Sequence, residues 1–173
     1  YGIESANQKT LDMLNKGATL EQQRESLQWA SEAGLEPHVT VMMGYPWESE
    51  EEAQNTIDYV REWFDKGWIN TLQGTVVIPY PGTQLYAQAR ENNWLRFDGP
   101  DNWHRFDMRE PVLATPMEPE HVMGLVQSLY TSFLTPHYIA RKLKDSIKSS
   151  AHFKYYVVRG SKYVVGHLLD FRK

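Results

Sequence analysis

The side chains available for chemistry in this 173-residue chain are carboxylates, hydroxyls, amines and imidazoles, because it contains no cysteine. Disulfides and thiolate-held metal are therefore excluded from it. The histidines are His38, His104, His121, His137, His152 and His167, and none has a metal-binding spacing such as H-x-x-x-H, so no metal centre is expected. Ligand recognition remains, and three places carry residues for it. Tyr1-Gly2-Ile3-Glu4-Ser5 reads as a strand end running into a helix, with a carboxylate and a hydroxyl at the transition. Gly44-Tyr45-Pro46 and Pro79-Tyr80-Pro81-Gly82-Thr83 are turns, each following an apolar run.

The elements that must position them follow from the pattern. Leu11 and Leu14 are three apart and Gly17 supplies a stop, so a short helix is expected from Gln8. Thr19 with Gln22 opens a second helix that runs through Leu27, Trp29 and Ala30 to Gly34. Pro37 to Gly44 is a β-branched apolar run of strand length. Ser49 with Glu52 caps a helix ending at Gly67, a strand spans Leu72 to Ile78, and a helix from about Gln84 to Asn92 follows, with Thr83 as its cap. Strands alternating with helices imply a parallel sheet joined by right-handed crossovers. The glycine-proline turns then all lie at the strands' C-terminal ends, the edge where parallel α/β folds bind ligands.

The formal charge is −4, the sequence pI is near 5.9, and 41% of residues are hydrophobic. The chain is long enough for a sizeable core and has no apolar run of membrane-spanning length. Overall charge makes no case for nucleic acid. Neither nucleic acid nor membrane is expected as a partner, and a cytoplasmic location is the default, although cysteine usage cannot fix the compartment.

These residues resemble the radical S-adenosylmethionine enzymes, most of all the branch whose barrel follows a cobalamin-binding domain. Three blocks carry the resemblance. Gly2-Ile3-Glu4-Ser5 with Leu14-Asn15-Lys16-Gly17 looks like the end of the fourth strand and its helix. Met42-Met43-Gly44-Tyr45-Pro46-Trp47-Glu48-Ser49 looks like the fifth strand and its Gly-x-Pro-x-Glu-Thr loop, with Ser49 where threonine is usual and Tyr45 where leucine is usual. Pro79-Tyr80-Pro81-Gly82-Thr83-Gln84-Leu85-Tyr86 looks like the sixth strand's Pro-x-Pro-Gly-Thr-x-Leu-Tyr signature. The resemblance covers roughly the first ninety-five residues. It implies half of a TIM-type barrel over residues 1–95, an ordered connecting loop over 96–115 and a helical C-terminal extension over 116–173.

It also implies cofactors: S-adenosylmethionine, a [4Fe-4S] cluster held by a Cys-x-x-x-Cys-x-x-Cys loop, and cobalamin in an upstream domain. Thiolates are required for such a cluster, and this chain has none, so it is expected to be a C-terminal piece of a larger enzyme and inactive alone. By resemblance, Glu4 and Ser5 stand where the family hydrogen-bonds the ribose hydroxyls and the methionine moiety. Glu4 also suits a helix N-terminus through its charge. Met42 precedes a loop where the family packs the adenine, and only one of Met42 and Met43 can face the barrel interior. Gly44 permits backbone approach or simply the turn. Val77 and Pro79, with Ile78 between them, lie where the family's backbone reads the adenine edge. Lys16 could reach the cofactor's carboxylate, or be a solvated helix-end lysine. The run Glu48 to Glu52 reads as the acidic first turn of a helix.

Beyond Leu95, Trp103, His104 and Phe106 are candidates for substrate contact or for packing. A helix starts near Thr115-Pro116-Met117-Glu118 and is broken by Pro136; helical stretches follow from Tyr138 to Lys148 and from Phe153 to Phe171, and Arg141-Lys142-Leu143-Lys144 reads as a solvated face. The favoured function is part of a cobalamin-dependent radical enzyme, a methyltransferase or a former of rings or carbon-carbon bonds, acting on a small or hydrophobic intermediate. The alternatives are a cobalamin-free radical enzyme of methylthiotransferase or coproporphyrinogen-oxidase type, and a non-enzymatic interaction module. A half barrel is expected to need its missing N-terminal half as partner, and otherwise to self-associate or to cover its inner face with the C-terminal helices.

Overall fold

The computed structural model describes residues 1–132 and 134–147. The chain divides into two compact units, residues 1–133 and 134–173. In the first, β1 (Gly2–Glu4), β2 (His38–Met43) and β3 (Thr71–Val76) form a parallel sheet in the order β1-β2-β3. The sheet belongs to an α/β fold compatible with part of a radical S-adenosylmethionine barrel.

Capping chemistry sets the helix starts. In α2 (Leu20–Glu32) the Thr19 hydroxyl accepts the Gln22 N–H at 3.2 Å while the Gln22 side chain accepts the Thr19 N–H at 2.9 Å. Ser49 and Glu52 repeat the arrangement at α3 (Glu50–Lys66), which ends at Gly67 with a left-handed φ of 79°. Each reciprocal pair satisfies two N–H groups that a helix start otherwise leaves bare. Thr83 caps α4 (Gln84–Glu91) by accepting the Tyr86 N–H at 3.2 Å. α1 (Gln8–Met13) is shorter than its leucine spacing suggests, because the chain turns at Asn15, whose φ is 51°.

Register separates the two faces of the sheet. Val41 pairs with Gly74 and Met43 with Val76; these four, with Val39 and Leu72, are buried and share one face. That face is covered by α5 (Pro119–Ser132), which packs on β3 and β2 and lies beside α3. Leu129 of α5 sits where a side chain at Gly74 would be, 2.6 Å from an ideal Cβ, so glycine is what lets the helix approach. The opposite face carries His38, Thr40 and Met42 on β2, paired with Thr71, Gln73 and Thr75 on β3. All six are exposed or half-buried, and His38 Nδ1 meets Thr71 Oγ1 at 2.8 Å. Five of these six side chains are polar, so this open face differs from the apolar inner face expected of a half barrel.

The third strand stops at Val76, two residues earlier than the apolar run suggests, and Val77 to Pro79 continue as buried coil. Residues 94–96 and 112–114 approach each other antiparallel through the Leu95–Leu113 bridge, closing a loop that contains a 3-10 helix, Pro100–Arg105. Arg105 holds this loop by two 2.8 Å bonds to Glu110 and by stacking over Phe97 at 3.5 Å. In the second unit, α6 (Pro136–Ile147) begins two residues before the expected Tyr138. The stretch Phe153 to Phe171, read as helical, lies outside the described residues.

Candidate active site

At the end of β1 the chain takes a conformation that only a few side chains tolerate: Glu4 has φ 63°, in the left-handed region. A register shift between Gly2 and Glu4 accompanies it. The kink folds the Glu4 carboxylate back over Gly2, where Lys16 reaches it at 2.8 Å. Gly2 has room for this pair only because it lacks a side chain; a Cβ there would lie 2.6 Å from Glu4 Oε1 and 3.0 Å from Lys16 Nζ. Gly2 pairs with Thr40, so the ion pair sits on the open, polar face. Backbone strain maintained at such a place is a mark of functional sites.

Next to it lies an apolar cluster built on the strand ends. Tyr45, Val77, Ala89 and Leu113 form its buried centre, and Met42, Leu14, Trp47, Leu85, Trp94 and Leu95 pack against them. Tyr45 stacks on Trp47 with ring centroids 5.4 Å apart, and Trp47 meets the edge of Trp94 at 5.7 Å. The Trp47 indole N–H donates to Thr10 at 3.1 Å, tying the loop after β2 to α1. The alternation of β2 puts Met42 on the open face and Met43 under α5. Met42 and Val77 are thus brought into one cluster, and Glu4 lies close enough to Tyr45 that its charge helps to raise the phenol's pKa.

Gly44, with φ 87°, turns the chain out of β2; an ideal Cβ would lie 3.0 Å from Val122 and 3.3 Å from Val76. Its N–H donates to Glu48 Oε2 at 2.7 Å. Pro79 is buried in the coil after β3. Ser5 is fully buried, and its hydroxyl accepts the backbone and side-chain N–H groups of Asn7 at 3.1 Å each and lies 3.4 Å from Thr56 Oγ1. That hydroxyl is engaged in tying the β1–α1 turn to α3. Phe106 is buried, whereas Trp103 and His104 are exposed. A cavity of about 310 Å³, lined by residues including Tyr1, Gly2, Ile3, Gln22 and Gln23, lies beside β1 and includes none of Glu4, Ser5, Met42, Gly44, Val77 and Pro79.

Glu48 is the residue that pattern alone misplaces. It precedes the Ser49 cap, so it is not part of the helix's acidic first turn, and it is fully buried. Burial pushes its carboxyl up to about 7, while the N–H groups of Gly44 and Tyr45 pull the other way and Glu52 adds a smaller push upward. Oε1 has no hydrogen-bond partner, and neither has the buried Tyr45 hydroxyl. Desolvation, then the charges of Glu4 and Glu48, hold the Tyr45 phenol well above its usual range. The position of Glu48, four residues after a glycine turn and just before a serine cap, is the signal that separates it from the run Glu50 to Glu52.

The residues suit an organic ligand better than a metal. A carboxylate and an ammonium beside an apolar, aromatic cluster can accept hydroxyl hydrogen bonds, hold a carboxylate and pack a flat ring. A [4Fe-4S] cluster does not fit: the chain has no thiolate, and among the described residues no three His, Asp or Glu side chains group to hold a metal. No helix among the described residues is long and apolar enough to cross a membrane.

Comparison with known proteins bears on the family. Residues 1–60 match the Radical SAM superfamily, a stretch that contains β1, β2, the Glu4–Lys16 pair and the Gly44 turn. A protein of Pyrococcus horikoshii, named an uncharacterized methyltransferase, is 32% identical to this chain over 134 residues. The aligned part is 77% of this chain and 28% of that protein, so the chain spans little more than a quarter of its relative. Together the matched region and this relative support the radical S-adenosylmethionine superfamily for the chain.

Proposed function

We propose that this chain supplies the metal-free side of an S-adenosylmethionine site within a radical enzyme, and that the parent protein carries out methyl transfer with cobalamin on a small or hydrophobic intermediate. The observation that carries the reading is the Glu4–Lys16 ion pair on the open sheet face, next to the cluster that holds Met42 and Val77. Methyl transfer rests on the name of the Pyrococcus horikoshii relative. In this reading Glu4 accepts the ribose hydroxyls, Met42 and the coil from Val77 to Pro79 pack the adenine, and Gly44 lets the backbone come close. Lys16 is released from Glu4 to meet the ligand's carboxylate. A [4Fe-4S] cluster and its thiolates would belong to a part of the enzyme other than this chain, which is inactive by itself.

Equilibrium titration of S-adenosylmethionine into the 173-residue chain, without iron or sulfide, tests the reading. Saturable binding is expected, weakened about 10- to 100-fold in Glu4→Gln, since a hydrogen bond to a charged acceptor contributes about 1.5–3 kcal/mol. Equal affinity for Glu4→Gln and the unaltered chain would remove Glu4 from the site.

A further inference from the structure

The formal charge of −4 conceals a segregation that follows the division into compact units. Residues 1–133 hold nine lysines and arginines against twenty aspartates and glutamates, a formal −11; residues 134–173 hold nine against two, a formal +7. The second unit therefore places nearly a quarter of its residues as cations in a chain that is otherwise strongly acidic. Such asymmetry points to a polyanionic partner for the basic part.

Its composition narrows the partner. In α6, apolar residues recur at every fourth position, Ile139, Leu143 and Ile147, while Arg141, Lys142 and Lys144 fall between them. The helix start is fixed by Thr135, whose side chain accepts the Tyr138 N–H at 3.2 Å and whose carbonyl accepts the Ile139 N–H at 3.0 Å. Arg141 and Lys142 each lie 5.7 Å from the Tyr138 ring centre. Ile139 and Leu134 are both close to half exposed, at 46% and 47%. The sequence beyond α6 keeps the same mixture, with Lys148, Lys154, Arg159, Lys162, Arg172 and Lys173 interleaved with valines, leucines and tyrosines. A partner that offered phosphates alone would leave the apolar residues unused. An anionic bilayer surface takes both, with the apolar side chains entering the headgroup boundary and the cations meeting lipid phosphates and carboxylates.

We infer that the C-terminal unit is a peripheral membrane-binding element that docks on anionic lipid surfaces through the cations and apolar residues of α6. It lies on the surface and does not span it. Whole-chain charge and the lack of a spanning run, which argue against a membrane partner, report neither the segregation nor surface binding.

Sedimentation of the full 173-residue chain with vesicles tests this. Vesicles of phosphatidylcholine with phosphatidylserine should bind it at least ~10-fold more tightly than phosphatidylcholine alone, and binding should fail between ~0.1 M and ~1 M salt as the screening length drops from about 10 Å to about 3 Å. Combined Arg141→Gln, Lys142→Gln and Lys144→Gln should weaken binding roughly 100-fold with an unchanged far-ultraviolet circular dichroism spectrum. Ile139→Asn, which keeps every charge, should weaken binding while leaving the salt dependence in place. Equal partition onto both vesicles, no binding to either, or salt-sensitive binding to single-stranded RNA without preference for phosphatidylserine would each overturn the inference.

Discussion

At the scale of single residues, Glu48 makes the sharpest demand. Its carboxyl is buried beneath the loop after β2, with one oxygen on the Gly44 N–H and the other unpartnered. Its folded pKa, about 7, stands above the ordinary 4.5, so the folded state holds this proton where the unfolded state has released it. Stability from this group is therefore full below pH ~4.5, falls as pH rises towards ~7, and levels off above it, a change of about 3 kcal/mol. Urea denaturation between those limits should show this fall in the unaltered chain and not in Glu48→Gln, whose amide can still accept the Gly44 N–H. Parallel pH profiles for the two proteins would show that Glu48 is ionised and satisfied in the folded state. This residue was hard to read from sequence because Glu48 to Glu52 is interrupted only by serine, and helix-dipole reasoning treats every carboxylate in the run alike. Glu4 was legible as a carboxylate at a strand end, but not its kink or its pairing with Lys16, which depends on a chain reversal at Asn15.

At the scale of elements, local chemistry carried far. Both capping boxes and the Thr83 cap appear where the sequence puts them, because a cap is decided within four residues. Alternation along β2 said that Met42 and Met43 must face opposite ways without saying which way. Only tertiary packing decides that, through the register of Met43 with Val76 and the close approach of Leu129 to Gly74. The assignment has a measurable consequence. Met43→Ala should cost about 2–5 kcal/mol in urea denaturation, as a cavity opens beneath α5. Met42→Ala should cost roughly 1 kcal/mol, since its side chain is only half-buried. Equal losses would mean that the two faces are buried alike and that the open face is not open in solution. The path of α5 was not legible either, since a helix stripe specifies that a face is buried and not against what.

At the scale of the whole molecule, the two edges of the sheet are unequal, and this governs how the chain associates. Beyond β3 there is no further strand among the described residues, yet the Tyr130 hydroxyl accepts the Gly74 N–H at 3.0 Å and donates to the Gly74 carbonyl at 2.6 Å. One side chain from α5 thus occupies the main-chain groups of the strand's central outward-facing residue, through which another strand would pair. β1, at the other end of the sheet, is only three residues long; the Gln23 side chain of α2 donates to its Ile3 carbonyl at 3.0 Å, but among the described residues no side chain holds both the N–H and the carbonyl of one of its residues. A sheet with two sticky edges grows without limit, whereas one with a single free edge closes as a two-fold dimer. The polar open face, with Thr40, Gln73 and Thr75, gives no apolar drive to stack sheets instead. In sedimentation velocity the unaltered chain should therefore show monomer and at most dimer as its concentration rises. Tyr130→Phe keeps the ring and removes the hydroxyl, leaving both Gly74 groups unpaired at a cost of about 1–3 kcal/mol. It should release the second edge and produce species larger than the dimer. A ladder of oligomers already present in the unaltered chain would show that Tyr130 does not guard β3, and that association runs through a surface other than the strand edges.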